Sequence, residues 1–366
     1  MSVPFPRSRA GSLLLAVAAA AVLAAVLASS ASAHFGGGAL YTQTNDPSGN
    51  VVQRFDRAPD GTLSPAGTFS TGGIGLADLG GRQGAVELSG DGRSLYAVNA
   101  GSNTVSVFRT GSGGTRLLGA VSSRGVAPTS IDEDHGRVYV LNSGGTPNVA
   151  AYWRGFDGSL RPIPGGTRNL SAGAAGAAQV SVTPDGRSLV VSERDANRLE
   201  TLPLDLLGRP GNPVVTASSG ATPFGFAISP RGAIVVSEAG ASTVSSYRLG
   251  FRGALNAITA SLPVGQGAAC WVAVSPNGRF AYTGNAAGGI AGFAIGRDGS
   301  LSPLGITALT PSPRDLDFDE SGRFLHAVSP GTTAGQVTTY RVGHDGSLEL
   351  AGTAPAAAGL TGAAAS

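Results

Sequence analysis

Ser89-Gly90-Asp91-Gly92-Arg93-Ser94-Leu95-Tyr96-Ala97-Val98-Asn99-Ala100-Gly101-Ser102-Asn103-Thr104-Val105-Ser106-Val107-Phe108 carries the pattern that decides the fold. A tight turn built on Asp-Gly opens it, because glycine accepts a positive φ that other residues resist. The dense apolar run Leu95–Val98 follows, then a loop of small polar residues, then the alternation Val105, Val107. Strand, turn, strand, loop, strand is the reading, and the first turn recurs five more times. Its copies are Asp134-His135-Gly136-Arg137, Thr183-Pro184-Asp185-Gly186-Arg187, Ser229-Pro230-Arg231-Gly232, Ser275-Pro276-Asn277-Gly278-Arg279 and Glu320-Ser321-Gly322-Arg323. The turn glycines lie 44, 50, 46, 46 and 44 residues apart.

A second column counts the copies more completely. A branched apolar residue precedes an aromatic or Leu by three positions at Val52/Phe55, Val105/Phe108, Val149/Tyr152, Leu199/Leu202, Val244/Tyr247, Ile290/Phe293 and Val337/Tyr340. An outer turn follows in four copies, at Asp60-Gly61, Asp157-Gly158, Asp298-Gly299 and Asp345-Gly346, each a hairpin signal between apolar runs. Four antiparallel strands per copy, repeated seven times, predict an all-β, seven-bladed β-propeller. The ends fit the same plan. Leu40–Asn45 reads as a second strand lacking its first, and Gly359–Ser366 as a first strand lacking its second. Pairing them would complete one blade and close the ring without an exposed edge.

Composition agrees. The chain has 366 residues, 57 of them Gly and 22 Pro, with 42% hydrophobic and 13% charged, too apolar for disorder and too rich in turn formers for a helical bundle. Every one of the 25 basic residues is Arg, and Arg7 and Arg9 precede the first acid, Asp46. Beyond the N-terminal stretch the charges balance, which gives no footprint for nucleic acid or an anionic membrane. The lone Cys270 allows no internal disulfide. Arg7 and Arg9, the apolar run Leu13–Leu27 and the small residues Ala31 and Ala33 have the layout of a signal peptide. Residues 1–33 are therefore expected to be cleaved, leaving His34 first in a secreted chain whose propeller domain is 34–366, with no membrane span and as a monomer.

In a propeller the first strands line the channel, and the loops after the second strands share one rim. The residues ending the second strands are Thr44, Asn99, Asn142, Glu193, Glu238, Asn285 and Ser329. Two carboxylates and three amides around one mouth can bind hydroxyls, carbonyls or a hydrated cation, although an Asn also closes a strand-end turn. The turn does not call for a carboxylate, so Glu193 and Glu238 stand out.

The repeats, Ser89–Phe108 above all, resemble those of the seven-bladed lactonase family, which includes bacterial 6-phosphogluconolactonase and fungal carboxymuconate lactonizing enzyme. The resemblance runs from about Ala39 onward and implies the propeller fold and lactone hydrolysis. The family's proposed site has a His before one first strand, a Glu ending the second strand of the next blade, and an Arg one blade later. Glu238 in Val235-Val236-Ser237-Glu238 matches the Glu. Ala178-Gln179 stands where the His would be, and Gly284-Asn285-Ala286 where the Arg would be.

Other candidates read as structural. His135 and His344 fall in turns, His326 lies inside an apolar strand, and the His residues are too dispersed for a zinc site. Asp315, Asp317 and Asp319 alternate on one strand face, but Glu320 replaces the Gly that a calcium loop requires. They read as channel-facing or solvated carboxylates. No Gly-x-Ser-x-Gly elbow and no phosphate loop is present. Cys270, beside Trp271 and far from any His, reads as a buried thiol. Two functions follow. An exported lactonase would use Glu193 or Glu238 on water, with Arg194 or Arg314 holding a substrate carboxylate or the developing oxyanion and Asn99, Asn142 and Asn285 on the sugar. A non-catalytic propeller would instead bind a glycan, polymer or protein. Neither needs a cofactor or a resident metal, though the rim could accept a divalent cation.

Overall fold

The computed structural model describes Met1 and residues 37–76, 82–111 and 113–366. The expected signal segment, Met1 apart, and His34 lie outside them. Gly38–Ser366 forms seven four-stranded antiparallel sheets, and the sole helical segment among the described residues is the 3₁₀ turn Phe251–Gly253. The expected seven-bladed propeller is the observed fold.

Blade 2 shows the unit: Val86–Leu88 innermost, then Ser94–Asn99, Thr104–Arg109 and Arg116–Ser122 outermost. The second strands Ser94–Asn99, Ala233–Glu238 and Phe324–Ser329 are buried throughout, because neighbouring blades cover both faces. Outermost strands such as Leu63–Ser70 are mostly exposed. Cores form between blades: Tyr96 and Val98 of blade 2 pack with Ile131, Val138 and Val140 of blade 3.

The repeated turns do what their residues dictate. Gly92 sits at φ 63° and donates its N–H to the Ser89 carbonyl, and Gly278 does the same toward Ser275 at φ 66°. In the outer turns Asp60, Asp157, Asp298 and Asp345 accept from both the N–H and the hydroxyl of the Ser or Thr two residues on. That explains the recurrent Asp-Gly-Ser/Thr-Leu. These outer turns also bear the latches between blades. Arg109, Arg248 and Arg341 each donate to the carbonyl of the turn aspartate in the next blade, Asp157, Asp298 and Asp60 respectively.

The ring closes as the ends require. Thr361–Ala365 is the innermost strand of blade 1 and pairs antiparallel with Gly38–Gln43, Leu40 opposite Ala365 and Tyr41 opposite Ala364. Val51–Arg57 and Leu63–Ser70 complete that blade.

Candidate functional site

The second-strand column does gather at one end of the ring, but its side chains turn into the blades. Asn99, Asn142, Asn285, Glu193 and Glu238 are all 0% exposed. Asn99 donates to Thr104 and Ser106 and accepts from Asn50. Asn142 donates to the Ser123 carbonyl and to Asn148, and Asn285 to Gln266 and the Gly289 carbonyl. Each amide ties rim loops of its own neighbourhood, the structural use of Asn at a strand end.

The two glutamates differ. Glu238 accepts from the Gly220 N–H at 2.7 Å, from the hydroxyls of Ser218, Ser245 and Tyr247 on Oε1, and from Thr243 and Ser261 on Oε2. Six donors meet a group with about four lone-pair sites, so no position is left for a water. Glu193 takes two, the Ala175 N–H and Arg198 Nε, each at 3.1 Å. Arg198 also bridges to Glu200 at 3.1 Å, so two buried carboxylates share one guanidinium. Burial and the adjacent Glu200 push Glu193 up to about 7 against the pull of Arg198. Glu200 and Arg198 were not legible as site residues: Leu199 between them marks the third strand, but nothing in the repeat gives its flanking positions a role.

The mouth itself is built on β-bulges. The inner strands Val126–Asp134, Ala177–Val182, Pro223–Ile228 and Gly267–Val274 all shift register beside their second strands, at 128/130, 177/179, 223/226 and 269/271. A bulge re-aims the side chain it carries. Thr129, Ala178, Phe224 and Cys270 occupy these positions. Phe224 and Trp271 meet edge to face with centroids 5.9 Å apart. Arg194, just past the second strand of blade 4, stacks over Phe224 at 5.1 Å. Arg314, just before the inner strand Asp315–Phe318, stacks over Trp271 at 5.4 Å. Neither guanidinium is in an ion pair among the described residues, and both remain partly exposed. Burial pushes the Cys270 thiol up to about 11, with Arg314 and then Arg194 pulling against it. The structure thus brings together Arg194 and Arg314 of the expected set and adds Phe224 and Trp271. The indole Nε1 of Trp271 is buried without a hydrogen-bond partner. Cys270 is the buried, un-ionised thiol expected.

Below the mouth the channel is barred by amides. Gln83, before the inner strand of blade 2, crosses to accept from the Val272 N–H and donate to the carbonyls of Val272 and Phe226. Gln179 clamps both backbone groups of Phe226. His326 is the core residue expected but is only half satisfied: it is 0% exposed, its Nδ1 bonds Thr339 at 3.0 Å, its Nε2 has no partner among the described residues, and burial pulls it down to about 4. Among the described residues no group of three or more His, Cys, Asp or Glu side chains is placed to hold a metal ion, and no helix is long and apolar enough to cross a membrane.

The comparisons with known proteins point one way. The family model described as "Lactonase, 7-bladed beta-propeller" matches residues 158–272 and 258–361. A 6-phosphogluconolactonase of Serratia proteamaculans (strain 568) is 27% identical over 253 residues, covering 64% of this chain and 73% of that protein. Among solved structures, a putative 6-phosphogluconolactonase from Bacteroides fragilis NCTC 9343 superposes with a TM-score of 0.74 at 17% identity, over 92% of this chain and 99% of that one. The Pseudomonas aeruginosa periplasmic gluconolactonase PpgL does so with a TM-score of 0.71 at 17% identity, over 89% and 98%. At that identity the structural likeness speaks for the fold.

Proposed function

Because this chain belongs to the seven-bladed β-propeller lactonase family, we propose that it hydrolyses a small lactone or sugar lactone bearing an anionic substituent, bound at the bulge-built mouth. The observation that carries this reading is the pair Arg194 and Arg314, in no ion pair among the described residues and spaced across the Phe224–Trp271 pair. A guanidinium fork suits a carboxylate or phosphate, and the buried Phe224 and Trp271 rings beneath hold the two forks apart. One Arg holds the substituent while the other faces the carbonyl oxygen, where negative charge grows as water attacks. Glu193, next in sequence to Arg194 and with a pKa near neutrality, is the proposed base. Glu238 is a positioning residue that holds the Ser218–Gly220 loop.

Each charge-assisted contact is worth about 1.5–3 kcal/mol, roughly ten- to a hundredfold. Arg194→Ala and Arg314→Ala should therefore raise KM for carboxylate- or phosphate-bearing lactones by at least about tenfold. An uncharged lactone should be affected much less. Equal losses on charged and neutral lactones would remove the anion-binding role. No turnover of any lactone by the parent protein would leave the second reading, a non-catalytic propeller that binds a glycan, polymer or protein, which the complete burial of Glu193 and Glu238 favours.

The proposal includes export through residues 1–33, supported by Arg7, Arg9 and the run Leu13–Leu27. Intact-mass analysis of protein from the medium should give a chain starting at His34. Secreted protein still carrying Met1–Ala33 would refute cleavage there.

A further inference from the structure

Beneath the Gln83 bar the channel opens into a cavity of about 470 Å³. Its walls are unequal. Glu87 of blade 2, Asp132 of blade 3, and Asp315 and Asp317 of blade 7 line one arc, joined by the inner strand of blade 1, with Asp319, paired to Arg57, and the exposed Glu320 at its outer end. The opposite arc, from blades 5 and 6, presents Phe226–Ile228 and Val272–Val274. No Arg, Lys or His is among the described residues that line it. Asp132 spends its Oδ2 on the Val182 N–H and the Ser181 hydroxyl, and Asp317 its Oδ2 on the Ala365 N–H. Asp315 differs. It is 1% exposed, its Oδ1 accepts from the Leu316 N–H, and among the described residues no donor lies within normal hydrogen-bond geometry of its Oδ2, the Ala363 N–H being the nearby backbone group. A buried carboxylate oxygen without a donor is costly and rare in folded proteins.

Glu87, Asp132 and Asp317 are partly exposed and Asp315 is buried. Four carboxylates gathered around one solvent-open space, with no cationic side chain among its described lining, favour a bound cation or protons. No three of these groups are close enough to ligate one ion directly. Mg²⁺ is the ion that keeps most of its waters and takes only one or two carboxylates.

We propose that the lower channel is a binding site for a hydrated divalent cation of the Mg²⁺ kind, held mainly through its waters by Glu87, Asp132, Asp315 and Asp317. The inference does not depend on lactone hydrolysis, and its readout is binding. Titration calorimetry of the full chain with MgCl₂ should show one site, and Mg²⁺ should raise the melting temperature. Cobalt(III) hexammine, whose shell cannot be exchanged for carboxylates, should compete for it. Asp315→Asn and Glu87→Gln, from different blades, should each weaken Mg²⁺ by about ten- to a hundredfold. Circular dichroism checks that both variants fold. Absence of Mg²⁺ binding at millimolar concentration would overturn the site and leave protons alone to neutralise the cavity. Unchanged affinity in both folded variants would place the ion elsewhere, and failure of the hexammine to compete would overturn the water-mediated mode.

Discussion

At the residue scale the two rim glutamates, equivalent in the repeat, behave as different groups. Glu193 and Glu200 face one Arg198, and the folded-state pKa of Glu193 lies near 7, above the ordinary 4.5. A carboxyl raised on folding contributes stability that is fully present below about 4.5 and lost as pH rises through about 7. Glu193→Gln leaves one carboxylate to one guanidinium. The variant should match the parent near pH 4 and be more stable by on the order of 1 kcal/mol at pH 8. If Glu193 is also the base, the acidic limb of kcat/KM near pH 7 disappears with it. Glu238→Gln should instead lose about 2 kcal/mol or more, since six donors converge on a carboxylate that an amide replaces poorly. Parallel pH–stability curves for Glu193→Gln and the parent would refute the shared-guanidinium account. A Glu238→Gln variant as stable as the parent would refute the scaffold role. The repeat placed both glutamates at the right strand end. It did not show which way they turn, because that depends on the loops connecting successive blades, such as Ala175 over Glu193 and Gly220 over Glu238.

At the scale of elements, the turns were legible because they are local. Asp-Gly-Ser names its own hydrogen bonds within three residues, and Asp157 with Ser159 forms them as written. The bulges were not legible. Phe224 and Cys270 read as ordinary first-strand residues in sequence. Only the register against Glu238 and Asn285 shows that an extra residue is squeezed in and aimed at the mouth. The closing strand was legible from a missing half-blade at each end, and it supports a direct test. Removing Gly359–Ser366 strips the innermost strand from blade 1 and exposes the edge of Gly38–Gln43. It also removes Ala365, the N–H donor to Asp317. The truncated chain should lose several kcal/mol, measured by denaturant unfolding, because a paired and buried strand is gone. An unchanged midpoint would show that blade 1 does not need this strand.

At the scale of the molecule, seven similar sheets produce a site through their differences. Composition and period identify the propeller, while the proposed site draws on Arg194, Phe224, Trp271 and Arg314, one irregularity from each of blades 4 to 7. The arginine latches join successive blades through backbone carbonyls, so the ring is held by contacts that the neutral net charge of the propeller conceals. Closure has a further consequence, in time. Leu40 waits for Ala365, a partner 325 residues later in the chain. At ribosomal rates that is on the order of tens of seconds during which a strand near the start has its edge open. Such an edge is a template for any passing strand. The six-residue length of Gly38–Gln43 keeps that template short. Ring formation is then the last event of folding, and a chain stalled before its final blade is the species most exposed to misassembly.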